Sequence, residues 1–455
     1  MKRLPSILLI VIAIAGFWLA GELQPSLIDM RRSYRLDQAD PLENSPPLVA
    51  FTTVALGGFR GIIADILWIR ASKLQEEGRY FEIVQLADWI TKLEPRFSQV
   101  WAFHAWNLAY NVSVMLSNPE DRWRWVRSGI SLLRDEGLKY NAGDAQLYRE
   151  LGWLFQHKIG AQYDQAHLYY KQAWAREMTD LLGGPHPDWN ALIHAQPGTP
   201  EFATRQRMLN EYKLDPTIMA QVDAQLGPLD WRLPQTHAIY WAWRGREFAR
   251  GFEAVAAERM IFQSMNESFF DGLLYFDPAS GLYVSAPAPD LLPQTMKAYH
   301  EAIGKFPDQP TFHDAYRYFL REAVVILSLF NRQDAARTAY DELCTISPDD
   351  KVAEGIDGFV RNDIASRVDD LPLPQARSLM DNTAYQSYSW KALGNEETAR
   401  GYDALAHLLW KTWATLPANR ANSLPPISTI LDAAFQHANS VFTNTTQQAN
   451  LGTRP

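Results

Sequence analysis

The chain has 455 residues, of which 47 % are hydrophobic and 21 % charged, a globular composition that excludes a wholly disordered polymer. A formal net charge of −9 argues against a phosphate-binding surface, and hence against a nucleic-acid partner. One cysteine, Cys344, excludes an intrachain disulfide framework, and its helical register predicts a small buried hydrophobe.

In chain order, Met1-Lys2-Arg3 precedes an uncharged apolar run from Leu4 to Ala20, about 25 Å long as a helix and close to the thickness of a bilayer core. Phe17-Trp18-Leu19-Ala20-Gly21 puts bulky residues where a cleavage site needs small ones, so residues 1–22 are predicted to be an uncleaved transmembrane signal anchor. Lys2 and Arg3 place the N-terminus inside and the body outside the cytoplasm, although Arg31, Arg32 and Arg35 weaken the charge asymmetry. Residues 23–50 read as a linker, Pro-bearing at Asp40-Pro41 and Ser45-Pro46-Pro47. Val54 to Trp68 is apolar, but Arg60 and Asp65 are costly at mid-bilayer, so this stretch is expected to be a helix and not a second span.

Residues 51–178 carry a recurring pattern. Gly78-Arg79-Tyr80 opens a helix that runs through Ala87 and closes on Leu93-Glu94-Pro95. Trp101, Ala105 and Leu108 mark the next helix, followed by Tyr148, Gly152 and Phe155, then Tyr163, Ala166, Tyr170 and Ala173. Small residues at one level let two helices approach closely, while large ones fill the space between pairs. The Gly78-to-Pro95 spacing returns between Asn331 and Pro348, with Ala336, Tyr340 and Leu343 between. These spacings resemble tetratricopeptide (TPR) repeats. Leu56-Gly57-Gly58-Phe59-Arg60, Ala64-Asp65-Ile66-Leu67-Trp68 and Ile90 to Phe97 further resemble the opening of uncharacterised bacterial membrane-anchored TPR proteins, over roughly the first third of the chain. The fold class expected is therefore all-α: a TPR-like helical-hairpin solenoid with one N-terminal transmembrane helix and a small β-hairpin insertion. Amphipathic helices of a generic bundle are the plainer reading of the same periodicity.

Residues 179–236 are turn-rich and read as an irregular insertion with short helices. Residues 237–349 resume the repeats. Within them Leu274-Tyr275-Phe276 and Leu282-Tyr283-Val284 flank Asp277 to Gly281, predicting a hairpin near 273–284 that would form a lip or a docking ribbon. Residues 350–442 are expected to supply C-terminal repeats and a cap, and 443–455 a flexible tail.

The TPR resemblance implies a concave groove lined by first-helix residues. On this register the candidates are Asp65, Trp68, Trp106, Arg149, Trp153, Gln156, Arg246 and Arg321, with Trp106 and Trp153 at equivalent places. Flat aromatics beside Arg donors suit an extended protein or peptide ligand, or a glycan. The competing reading packs those tryptophans into the core. The chain contains no His-Glu-x-x-His, Gly-rich phosphate loop or nucleophile elbow, so neither a cofactor nor a catalytic role is expected. His186 and His194 are too far apart for one metal-binding helix face. The enzymatic alternative is an all-helical carbohydrate hydrolase or lyase using carboxylates such as Asp188 and Asp230, each of which precedes a Trp and serves equally well as a helix cap. The reading is thus a scaffold of the bacterial cytoplasmic membrane and cell envelope, held there through residues 4–20.

Overall fold

A computed structural model of the chain describes residues 60–417 and 423–452, with isolated helical positions between 15 and 30. The described residues are overwhelmingly helical, with a single two-stranded sheet. None of their helices is long and apolar enough to cross a membrane. The expected anchor at 4–20 lies almost entirely outside the described residues. The chain divides into two compact units at Pro95/Arg96.

The first unit contributes a helical hairpin, α1 (Arg60–Glu76) packed on α2 (Tyr80–Leu93). Ala64, Ala71 and Leu74 of α1 and Ile83, Ala87 and Ile90 of α2 are buried. The small alanines allow the helices to approach closely, as their spacing predicts.

In the second unit α3 (Ser98–Trp106), α4 (Pro119–Ser131) and α5 (Ala145–Trp153) each continue into a wider π-helical turn, at Asn107–Val112, Leu132–Gly137 and Leu154–Gly160. Such turns re-aim the side chains that follow them. α6 (His167–Leu182) ends on the left-handed Gly183. The 179–236 stretch contains α7 (Pro200–Arg207) and α8 (Pro216–Leu226), both opening on Pro. The nearly all-buried α9 (Pro234–Gly245) follows, then the 20-residue α10 (Phe252–Asp271). α9 packs on both α5 and α10. Gly152 of α5 is the close-approach point: a Cβ there would run into Met260 of α10 and meet the Ala238 carbonyl of α9.

After the hairpin, α11 (Leu292–Lys305), α12 (Pro310–Leu329), α13 (Gln333–Ile346), α14 (Gly355–Asp369), α15 (Leu373–Ala392), α16 (Glu396–Ala414) and α17 (Ile427–Val441) pack largely on near neighbours in chain order. One apolar core runs from Trp101 through Trp241 and Phe319 to Trp413. Cys344 is half-buried against this core, less enclosed than its register suggests.

Two expectations need correction. Strands β1 (Leu273–Phe276) and β2 (Tyr283–Ala286) form the hairpin in antiparallel register, with Leu273 opposite Ala286 and Phe276 opposite Tyr283. It is neither a lip nor a free ribbon, because both faces are covered. Leu274 and Phe276 pack with Ala175 of α6 and Leu233, whereas Val284 and Ala286 pack with Trp390, Ala399, Phe435 and Phe442 of the last helices. The period-2 alternation of a strand makes this two-sided burial possible, and it ties α6 to the C-terminal helices. The expected flexible tail, in turn, is helical over α18 (Thr445–Leu451). Asn444 caps its start, Leu451 is buried, and Asn450 Nδ2 donates to the Ala392 carbonyl at 2.9 Å. A capped turn with one buried Leu is enough to dock a polar segment.

Candidate functional site

The face of α10 that includes Phe252, Val255, Ala256, Arg259, Gln263, Asn266 and Glu267 recurs every three to four residues and is not fully buried, although Val255 packs against the core. It faces the C-terminal half of α5 and the π turn beyond it. Between them lie two adjoining clefts that share Trp153, Gln156 and Gln263. The first, of about 610 Å³, adds Arg149, Phe252, Val255, Arg259, Met260 and Phe306. The second, of about 470 Å³, adds His157, Gln162, Tyr163, Asn266 and Glu267.

Three of the sequence candidates therefore meet in one place. Trp153 is 38 % exposed and its ring stands clear of the core. Gln156 is buried, and its amide donates to Ser264 Oγ at 2.9 Å, which fixes its orientation. Arg149 Nε donates to Glu253 at 2.8 Å, and the guanidinium also pairs with Glu150 and lies over the Phe252 ring. Burial alone would lower the Arg149 pKa, but the two carboxylates outweigh it and the pKa is raised.

Trp106 joins them along the surface. Its ring stacks on Tyr110 at 5.1 Å, Tyr110 lies 5.8 Å from His157, and His157 stacks on both Trp153 and Tyr163. Tyr110 and His157 stand on the π turns, whose extra width sets their rings in line. Tyr110 Oη and His157 Nδ1 are 3.0 Å apart, which fixes the imidazole. Burial, aided by the neighbouring Lys158 charge, lowers the His157 pKa and keeps the ring neutral at pH 7. Tyr163 is 84 % exposed at the end of the row.

A buried ion cluster holds the loop that carries Tyr163. Asp164 accepts from Lys158 Nζ at 2.5 Å, from Arg122 at 2.8 Å and from the Ala166 backbone at 2.8 Å. Burial raises the Asp164 pKa, but these donors outweigh it and the net shift is downward. The Lys158 ammonium also lies over the Tyr110 ring, which links this cluster to the aromatic row.

The remaining candidates are placed otherwise. Trp68 is half-buried and Asp65 exposed on α1 of the first unit. Arg246 pairs with Glu258 at 2.7 Å and lies over Trp243. Arg321 pairs with Asp350 and Asp363 and lies over Phe359. Neither arginine lines the clefts. Asp188 caps a short helix by accepting from the Ala191 backbone at 2.9 Å, and Asp230 forms a buried pair with Arg232. His186 and His194 each bond a different backbone carbonyl.

The sequence reading missed Phe252, Arg259, Gln263, Asn266 and Glu267 because it confined the groove to first helices, whereas α10 follows α9. The signal was present in one incompletely buried face recurring from Phe252 to Glu267. Glu267 is the most perturbed group there. Burial pushes its pKa up to about 7, the neighbouring Asp271 adds to the rise, and Lys171 opposes it. Comparison with known protein families gives no match, and neither does comparison with curated proteins.

Proposed function

We propose that this chain is a membrane-anchored, TPR-like helical scaffold whose second unit holds an extended segment of a partner protein in the cleft along α10. The observation that carries the reading is the row Trp106–Tyr110–His157–Trp153, part-exposed at both ends and bordered by the amides of Gln156 and Gln263. Aromatic faces hold apolar side chains and peptide planes, and fixed amides pair with backbone groups. A 20-residue helix is about 30 Å long, enough to lie beside roughly nine residues of extended chain. Packing in chain order from α9 to α14 supports the solenoid part of the reading, and the uncharged run at 4–20 supports the anchor. Selection of random nonapeptides on the full-length chain tests it. A recurring motif retained by wild type and lost on W153A is expected, and no enrichment would contradict the proposal.

A second reading, a carbohydrate-acting enzyme, is favoured by one observation: Glu267 and Asp271 stand one turn apart with both pKa values raised. Release of reducing ends from cell-wall glycan, abolished in E267Q, would favour it.

A further inference from the structure

The wall of the second cleft holds acceptors that lack a donor. Asn266 and Glu267 belong to its lining, and Asn266 Oδ1 and Glu267 Oε2 are buried atoms that receive no hydrogen bond. Gln235, only 5 % exposed, turns its side-chain amide toward the Glu267 carboxyl, and its own Oε1 also lacks a donor. Buried acceptors left without a donor cost free energy, so two on one cleft wall, with Gln235 behind them, suit a guest that brings donors. The charges agree. Glu267 and Asp271 interact with a single nearby cation, Lys171, which among the described residues makes no ion pair with either. Asp271 also accepts from Ser285 Oγ at 3.2 Å. When both carboxyls are ionised, one ammonium leaves one negative charge unmatched.

The walls narrow the class of guest. Trp153, His157 and Tyr163 form a stack beside these acceptors. A bare divalent cation seeks six or more oxygens and gains nothing from aromatic faces. A guanidinium is flat, stacks on such faces and offers five N–H donors in a fixed fork. We propose that this cleft takes the guanidinium of an arginine side chain, stacked on the Trp153 row and donating to Glu267 and Asn266. The inference rests on the peptide-binding reading and assigns that peptide an arginine where it reaches the end of α10 nearest Glu267.

The test uses the full-length chain labelled with 5-fluorotryptophan, with the Trp153 resonance assigned through W153F. N-acetyl-arginine amide and its neutral isostere, N-acetyl-citrulline amide, are titrated in parallel. The arginine compound is expected to shift the Trp153 resonance saturably and to bind at least about tenfold more tightly than citrulline. E267Q keeps the side-chain shape and should abolish that preference. A second isostere, Q235E, restores a carboxylate beside the recess and should recover part of the preference in the E267Q background. Equal response to both compounds, no response to either, or a preference that survives E267Q with no change would overturn the proposal. None of those results touches the peptide selection above. Arginine preference without any selectable peptide would instead sink the peptide reading and leave a site for free guanidinium compounds.

Discussion

Trp153 lies flat on His157, with ring centroids 4.6 Å apart and planes only 9° from parallel, yet it remains 38 % exposed. A tryptophan in the core is enclosed on all sides, whereas this one is held on one face and open on the other. Its contribution to folding should accordingly be small. W153A is expected to lower unfolding free energy by about 0.5–1.5 kcal/mol, the range of a stacked aromatic pair. Urea denaturation checks this, and a loss near that of a buried Trp, roughly 3–5 kcal/mol, would place the ring in the core instead.

Among the described residues Asp164 is the only carboxylate paired with Lys158 and Arg122, and both cations are almost fully enclosed. D164N would leave two buried positive charges facing a neutral amide, so a loss of about 3–5 kcal/mol is expected. The pH dependence has a definite sign. The folded-state pKa of Asp164 lies below its ordinary value of 3.8, so its stabilising contribution is present above that value and is lost as pH falls through the folded pKa. Acid unfolding of wild type should therefore be steep below pH 4 and shallower in D164N, as followed by circular dichroism.

Glu267 works in the opposite direction. Its folded pKa of about 7 exceeds the ordinary 4.5, so the folded state holds its proton more tightly than the unfolded chain. The stability this gives is fully present below pH 4.5 and is lost as pH rises through 7. E267Q cannot ionise. It should melt above wild type at pH 8 by a margin that shrinks toward pH 5, and a pH-independent margin would mean that Glu267 does not titrate in this window.

At the α5–α9 crossing, a Cβ on Gly245 would lie 2.8 Å from Tyr148 Cβ, an atom fixed close to the backbone. G245A is expected to cost about 1–3 kcal/mol through overpacking, measured as a lower melting midpoint.

How much of this was legible in the sequence depends on the residue. Helices at Gln333–Ile346 and Tyr80–Leu93 follow from apolar spacing, and the small residue required at Gly152 follows from close packing. The hairpin was visible from its alternation around Asp277 to Gly281, but its burial was not, because alternation does not say what covers each face. Arg149, Trp153 and Gln156 were found through their spacing on one helix. Arg246 and Arg321 share that register, but Glu258, Asp350 and Asp363, supplied by other helices, engage them, and no local pattern announces such partners. His157 and Tyr110 were missed because their alignment depends on π turns, which have no simple sequence period. Glu267 was missed because its perturbation comes from burial and from charges on α6 and α10 that only the fold brings together.

The central claim is that the cleft along α10 binds an extended peptide through the Trp153 row. The most direct measurement is calorimetric titration of a selected nonapeptide into wild type and into W153A, with both proteins shown to be folded. The expected result is a loss of about tenfold in affinity on W153A, in keeping with one lost stacking contact of about 1.4 kcal/mol. Unchanged affinity in a folded W153A would contradict the account.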